Sequence, residues 1–362
     1  MEFTLPADVL GAALGALKGT VERRATLPIL ANVLLSLAGD RLTLTGTDLE
    51  SQIQTSRTVQ GAVPGAITVP LERLLGIVRT LPDVDVRAKV DEDRMLLSAG
   101  RARFRIQTLP AENYPAFTAS AYGPAVTIGA AKLARAIAAV SHAMARADVR
   151  HYLNGLLLTL DADGGRVVAS DGHRLSTAAF EGEPDWSPVS VILPRKAVLE
   201  LAKLLPSGGD VAFRYAANAA EFGMEAATFS TKLIEGRFPD WRRVFPQDLP
   251  IVMRLEREPF IAALRRVGLM ANEAGAIAVE LRADGVALRG GVDAGDSSED
   301  FVPGELSGAP TALGFNWSYL EDALCHLDAE TVELAVTAQG NSAVLRDPEN
   351  SSVAHVVMPM RF

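Results

Sequence analysis

The sequence repeats itself three times, and this limits its fold more than any other feature. Thr45-Gly46-Thr47-Asp48-Leu49 and Ser170-Asp171-Gly172-His173-Arg174-Leu175 stand at matching places, with Asp48 and Asp171 separated by 123 positions. Each follows an Asn-led apolar run, a turn and a second apolar run: residues 32–37 before the first, residues 154–160 before the second. Further upstream, a short strand followed by residues at helical spacing begins near Phe3, near Val126 and near Val252. A repeat of about 125 residues is domain-sized, so it marks triplicated domains rather than a solenoid of short units.

Each copy continues alike. Hairpins follow the first helix, with turns at Gly39-Asp40, at 161–165 and at Ala283-Asp284-Gly285. Asp/Gly turns between alternating strands are strong hairpin signals. A second helix is expected at 71–81, 194–205 and 316–327, with Pro194 at the first position of its helix. Further strands close each copy, giving an α+β unit with two helices and about eight strands. The boundaries fall at 1–121, 122–248 and 249–362, with linkers at 117–125 and 245–250. Each unit leaves open sheet edges at its ends, which proteins pair, cover or charge. A head-to-tail contact between first and third units of two chains would close a ring of six units.

The chain of 362 residues has a net charge of -9, which argues against general attraction to nucleic acid or anionic membrane. Its one cysteine, Cys325, excludes an internal disulfide and fits a reducing, cytoplasmic setting. The N-terminus lacks the pattern of a secretion signal, and no apolar run is long enough for a membrane span. The charge is segregated: five of the six helical segments are net basic, and only 316–327 is net acidic. Asp171 and His173 invite a second reading, a repeat-built hydrolase. That reading needs a nucleophile or metal ligands near the histidine, yet no Gly-x-Ser-x-Gly elbow, phosphate loop or Cys/His metal spacing occurs. On an extended strand, residues two apart share a face rather than forming a relay. A structural turn is the better reading, with no metal, cofactor or catalysis.

The motifs together resemble one family. They are Thr26-Leu27-Pro28-Ile29-Leu30, Leu42-Thr43-Leu44-Thr45-Gly46-Thr47-Asp48-Leu49-Glu50, Asp148-Val149-Arg150, Tyr152-Leu153-Asn154-Gly155, Asp171-Gly172-His173-Arg174-Leu175, Gly236-Arg237-Phe238-Pro239-Asp240 and Val356-Val357-Met358-Pro359-Met360-Arg361. Their order and whole-chain span are similar to those of the bacterial DNA polymerase III beta subunits, the sliding clamps. The resemblance implies a homodimeric six-domain ring around duplex DNA, with helices inside and sheets outside. It also implies a processivity factor that is not an enzyme. Its partners would be the DNA polymerase III catalytic subunit, the clamp loader and other proteins with short clamp-binding motifs.

Residue roles follow from the resemblance. A partner-peptide groove maps to Leu153, Ser170, Gly172, His173, Arg174, Leu175, Pro239, Arg243, Val244, Asn316, Tyr319, Ser342, Val356, Met358, Pro359, Met360 and Arg361. Its apolar, methionine-containing lining suits several partners. Sequence-independent DNA contacts map to Arg24, Arg73, Arg79, Arg146, Arg150, Tyr152, Arg195 and Lys196. Two positions depart from the family pattern there, Ala147 for a glutamine and His151 for an aromatic residue. The dimer seam maps to Arg101, Arg103, Phe104, Arg105 and Ile106 of one chain. Opposite them would stand Leu269, Met270 and an acidic run of Asp293, Asp296, Glu299 and Asp300.

Overall fold

A computed structural model describes residues 1–22, 27–183, 186–291 and 295–361. Three α+β domains follow one another. The first holds β1 Glu2–Pro6, α1 Ala7–Ala16, β2 Asn32–Ala38, β3 Arg41–Thr47, β4 Ser51–Thr58, β5 Gln60–Val63, β6 Gly65–Pro70, α2 Leu71–Thr80, β7 Asp85–Asp91, β8 Arg94–Ala99, β9 Ala102–Gln107 and β10 Leu109–Pro110. The second holds β11 Val126–Gly129, α3 Ala130–Val140, β12 Gly155–Asp161, β13 Gly164–Ser170, β14 Arg174–Phe180, β15 Val189–Pro194, α4 Arg195–Leu204, β16 Asp210–Tyr215, β17 Ala219–Gly223 and β18 Ala227–Lys232. The third holds β19 Ile251–Glu256, α5 Arg257–Gly268, β20 Ala276–Arg282, β21 Gly285–Gly291, β22 Ser297–Ser307, β23 Thr311–Asn316, α6 Trp317–Cys325, β24 Thr331–Val336, β25 Ala343–Arg346 and β26 Val353–Val357.

The expected two helices per copy are present. The strand number is eight in the second and third copies, and the first adds the short β5 and β10. One expectation fails at Pro194. It ends β15, paired with Gly155, and Arg195 opens the helix. Proline fits there because a strand's last residue needs no further ladder donor. Asn316 is the cap of α6 rather than its first turn, and its side chain accepts from the Ser318 amide at 3.0 Å.

The chain clusters into two compact units, residues 1–130 with 203–233 and residues 131–202 with 234–362. The first unit contains a five-stranded sheet, β5-β1-β7-β8-β9, and a nine-stranded sheet, β10-β6-β2-β3-β4-β18-β17-β16-β11. The second contains a twelve-stranded sheet, β15-β12-β13-β14-β26-β25-β24-β19-β22-β21-β20-β23. The central domain therefore gives strands to both units. β18 joins β4 of the first domain, and β14 joins β26 of the third.

Helix faces bury where the spacing predicts. Leu71, Leu74, Leu75 and Val78 of α2 are buried, and Phe260, Ile261, Leu264 and Val267 of α5 enter the core of the third domain. Among the described residues no helix is long and apolar enough to cross a membrane.

Candidate functional site: a groove where the last strand meets the central domain

The turn between β13 and β14 is built by two side chains. Asp171 Oδ1 accepts from the amides of His173 at 3.0 Å and Arg174 at 3.1 Å. Ser170 Oγ donates to Arg174 O at 2.8 Å and accepts from the Gly172 amide at 3.1 Å. Such Asx-type bonds satisfy the backbone of a tight turn locally. Asp171 and His173 thus lie in a hydrogen-bonded turn, the reading the sequence favoured over a relay. The Asp171 carboxylate is also committed to Arg174 Nε at 3.0 Å, and the His173 side chain is exposed. They form no relay, and the hydrolase reading finds no support.

Arg174 ties this turn to the third domain. Its guanidinium donates to Asp322 Oδ2 at 2.5 Å and to His142 O at 2.8 Å, and it lies 4.4 Å from the centre of the Tyr319 ring. With only 12% of its side chain exposed, Arg174 is fixed in place. Burial pushes the Tyr319 phenol up, assisted by the charge of Asp171. Asp322 carries no signal in the sequence that marks it as the holder of Arg174, because the partners stand on different domains.

The C-terminal segment is strapped down on both sides. β26 pairs with β14 and with β25. Beyond it, the Met358 amide donates to His173 O at 2.9 Å and the Met360 amide to Gly314 O at 2.9 Å. Beneath lies an apolar cluster of Leu153, Leu157, Val168, Leu175, Ile192, Phe238, Val344 and Val356, with Tyr152, Trp241, Val244 and Met358 packed against it. Of the expected groove residues, Leu153, Leu175, Val244, Val356 and Met358 share this cluster. Leu153, Leu175, Val356 and Ser342 are buried and form the floor, whereas His173, Pro239, Arg243 and Arg361 are exposed at the rim. Asn316 is spent on the cap of α6 and on a 3.0 Å bond to Ala274 O.

Of the expected DNA contacts, Arg24 lies outside the described residues. Arg73, Arg79, Arg146 and Lys196 are exposed, and Tyr152 is half-buried. Arg150 is exposed but paired with Asp148 at 2.8 Å, and its guanidinium packs over Gly172. Those bonds hold the Asp148 carboxyl down at about 2. Arg195 is a different case. It is half-buried and donates to Met144 O at 2.9 Å, so it braces the segment after α3. Burial, and then the charges of Arg146 and Arg174, lower its pKa.

The expected seam residues are also sorted by the structure. Arg101, Arg103 and Arg105 are exposed near the edge strand β9, and Leu269 is 81% and Met270 42% exposed. Ile106, in contrast, is 1% exposed within its own domain, so it has no surface to offer a partner chain. Asp300 already pairs with Arg266 and Glu299 with Arg289, at 2.6 and 2.8 Å. Asp296 is exposed, and Asp293 lies outside the described residues.

Three of the five histidines meet behind the groove, which the sequence did not announce. His142 stacks on His326 at 4.3 Å, and Ser176 Oγ bridges His142 Nε2 at 3.1 Å and His355 Nδ1 at 2.8 Å. Burial, with neighbouring imidazoles, pushes His142 down to about 2 and His355 to about 3. His142 and His326 stack, and the His355 ring lies tilted 5.3 Å from His142. Among the described residues no group of three His, Cys, Asp or Glu is arranged to hold a metal.

Comparison with known proteins agrees with this geometry. Family profiles for the N-terminal, central and C-terminal domains of the DNA polymerase III beta subunit match residues 1–118, 127–240 and 242–361. The chain is 37% identical to the beta sliding clamp of Pseudomonas aeruginosa and 35% identical to that of Escherichia coli K12, in both cases over all of each chain. Its fold matches the crystal structure of the P. aeruginosa clamp bound to griselimycin with a TM-score of 0.96 at 36% identity, covering all of both chains. It matches the sliding clamp from Caulobacter crescentus with a TM-score of 0.93 at 32% identity, again over all of both chains. Profiles over all three domains and whole-length likeness place the chain in the family of DNA polymerase III beta subunits, the sliding clamps.

Proposed function

We propose that two copies of this chain close head to tail into a ring around duplex DNA, and that the groove holds short peptide segments of replication and repair proteins on that ring. The observation that carries the docking role is the strapped C-terminal segment: Met358, Pro359 and Met360 are half-buried between His173 O and Gly314 O, above an apolar floor. A free tail would not keep methionine and proline in that place. The related clamp bound to griselimycin supports a ligand-binding surface in this family. For the ring, open edges and exposed apolar groups support the seam. β9 ends its sheet, and β22 passes from β21 to β19 at Pro303, leaving one side of its first half unpaired. Leu269, Met270 and Phe301 are exposed near that edge.

Arg73, Arg79, Arg146, Arg150, Tyr152 and Lys196 would supply soft, sequence-independent phosphate contacts, with Arg24 joining them by resemblance and Arg195 acting as a brace. Such contacts weaken as salt rises and permit sliding. Retention on DNA is the test. Protein loaded by a clamp loader should stay on a closed DNA circle at high salt and leave once the circle is cut. Equal loss from circular and linear DNA would exclude encirclement.

A further inference from the structure

We propose that Arg166, Trp241 and Arg242 form a carboxylate-binding subsite beside the groove, selecting docking peptides with acidic residues near their apolar anchors. The proposal rests on the docking role of the groove. Arg166 lies on β13, on the sheet face that also carries Val168 and, across the ladder, Leu175 and Thr177 of β14. Leu175 and Val168 belong to the groove floor. Arg166 Nη1 donates to Thr177 Oγ1 at 3.2 Å, which places its guanidinium beside Thr177, two residues along the strand from Leu175. That step is about 7 Å, the length of two extended peptide residues.

Trp241 connects this point to the groove. It packs against the floor cluster in company with Val244 and Met358. The guanidinium carbons of Arg166 and Arg242 lie 5.1 and 4.7 Å from the centre of its ring. An indole face attracts both cations but neutralises neither.

The charge around this ring is unbalanced. The neighbouring arginines are matched: Arg174 with Asp171 and Asp322, Arg243 with Asp240, and Arg346 and Arg254 with Glu333. Among the described residues Arg166 and Arg242 form no ion pair with a carboxylate. Burial, and then the charge of Arg242, lowers the pKa of Arg166; the Asp161 carboxylate opposes them only in part and forms no ion pair with it, so among the described residues the two cations lack a direct counter-ion. An incoming carboxylate would supply that counter-ion and take paired N–H donors from a guanidinium.

Fluorescence anisotropy with synthetic decapeptides tests this. Each peptide carries Leu and Phe anchors, flanked on either side by Glu-Glu or by Gln-Gln. The wild-type protein should bind a Glu-flanked peptide about fivefold more tightly than its Gln counterpart at low ionic strength, with the gap closing in high salt. Arg166→Met with Arg242→Met should erase the preference and leave the Gln-flanked peptide within about twofold of wild type. Arg242 is exposed, so Arg242→Glu keeps the test readable if the double variant folds poorly, and it should reverse the preference. Equal wild-type affinity for Glu and Gln peptides, or a preference that survives Arg242→Glu, overturns the subsite alone. Failure of every peptide to bind overturns the docking role and the subsite with it.

Discussion

At one seam β4 of the first domain pairs with β18 of the second; at another, β14 of the second pairs with β26 of the third. The registers correspond residue by residue. Ser51 faces Thr231 at the first seam and Arg174 faces Val357 at the second. Even the closing bond recurs: Lys232 N donates to Glu50 O at 2.8 Å, and Met358 N to His173 O at 2.9 Å. Polarity is inverted between them. The first seam places Ile53 and Phe229 on one face, both wholly buried, and Gln52 and Ser230 on the other. The second places Ser176 and His355 where Ile53 and Phe229 stand, and Leu175 and Val356 where Gln52 and Ser230 stand. The first seam ends in an exposed Lys232–Glu50 ion pair, the second in Met358 and an exposed His173. The two seams thus share one backbone scaffold and carry their apolar pair on opposite faces.

Arg174 is the residue that most separates the seams, and removing it should have the largest effect. Arg174→Ser installs the residue found at the first seam. It strips the bonds to Asp171, Asp322 and His142 O, and the stack on Tyr319. Leaving two carboxylates without their cation should cost about 3 kcal/mol of stability. Peptide binding should fall at least about tenfold, since each 1.4 kcal/mol is a decade. Ser51→Ala at the first seam should leave peptide binding unchanged. Denaturant titration and peptide anisotropy read both effects, and a fully active Arg174→Ser protein would dissolve the distinction between the seams.

The inverted face also makes the second seam sensitive to acid. His142 and His355 are held far below the ordinary histidine value, to about 2 and about 3. The unfolded chain therefore takes up protons first as pH drops. Stability is fully present above about pH 6.5 and is lost progressively below it, until the folded-state values are reached. At pH 5 each imidazole should cost about 2 kcal/mol. His355→Phe installs the residue of the first seam and leaves the Ser176–His142 bond at 3.1 Å in place. Melting temperatures at pH 7.5 and pH 5 should show about half of the wild-type acid loss in this variant. Wild-type stability that stays level between those pH values would refute the assignment.

Local signals made much of the scaffold legible. The Asp/Gly turns and alternating strands fixed the hairpins, and β18 runs over Ala227–Lys232 as read from sequence. The groove was expected only through motifs that resemble a family, not from spacing or periodicity. What escaped depends on partners far apart in the chain. Nothing near Arg166 signals Trp241, nothing near Ser176 signals His355, and nothing near Arg174 signals Asp322. Ile106 shows a subtler limit. Its alternation with Arg103 and Arg105 is real, but alternation assigns opposite faces without saying which face meets its own core.

The smallest effect should come from the turns that precede the seams. Leu49 and Gly172 occupy equivalent positions, and both have left-handed backbone, with φ of 75 and 90. Thr47 and Asp48 bond the first turn as Ser170 and Asp171 bond the second, the Leu49 amide donating to Thr47 Oγ1 at 3.1 Å and the Ser51 amide to Asp48 Oδ1 at 2.6 Å. A non-glycine residue in this region costs about 1–2 kcal/mol. The first turn tolerates that cost with its leucine at the surface. The second takes a side chain only if Arg150 moves, because a Cβ on Gly172 would stand 2.5 Å from Arg150 Nη2. Leu49→Gly should therefore leave stability unchanged or raise it by up to about 1 kcal/mol, as relief of strain offsets the added freedom of the unfolded chain. Gly172→Ala should lower stability by about 1–2 kcal/mol and displace Arg150. Urea midpoints compare the pair directly, and equal shifts of the same sign would show that Arg150 places no steric demand on the second turn.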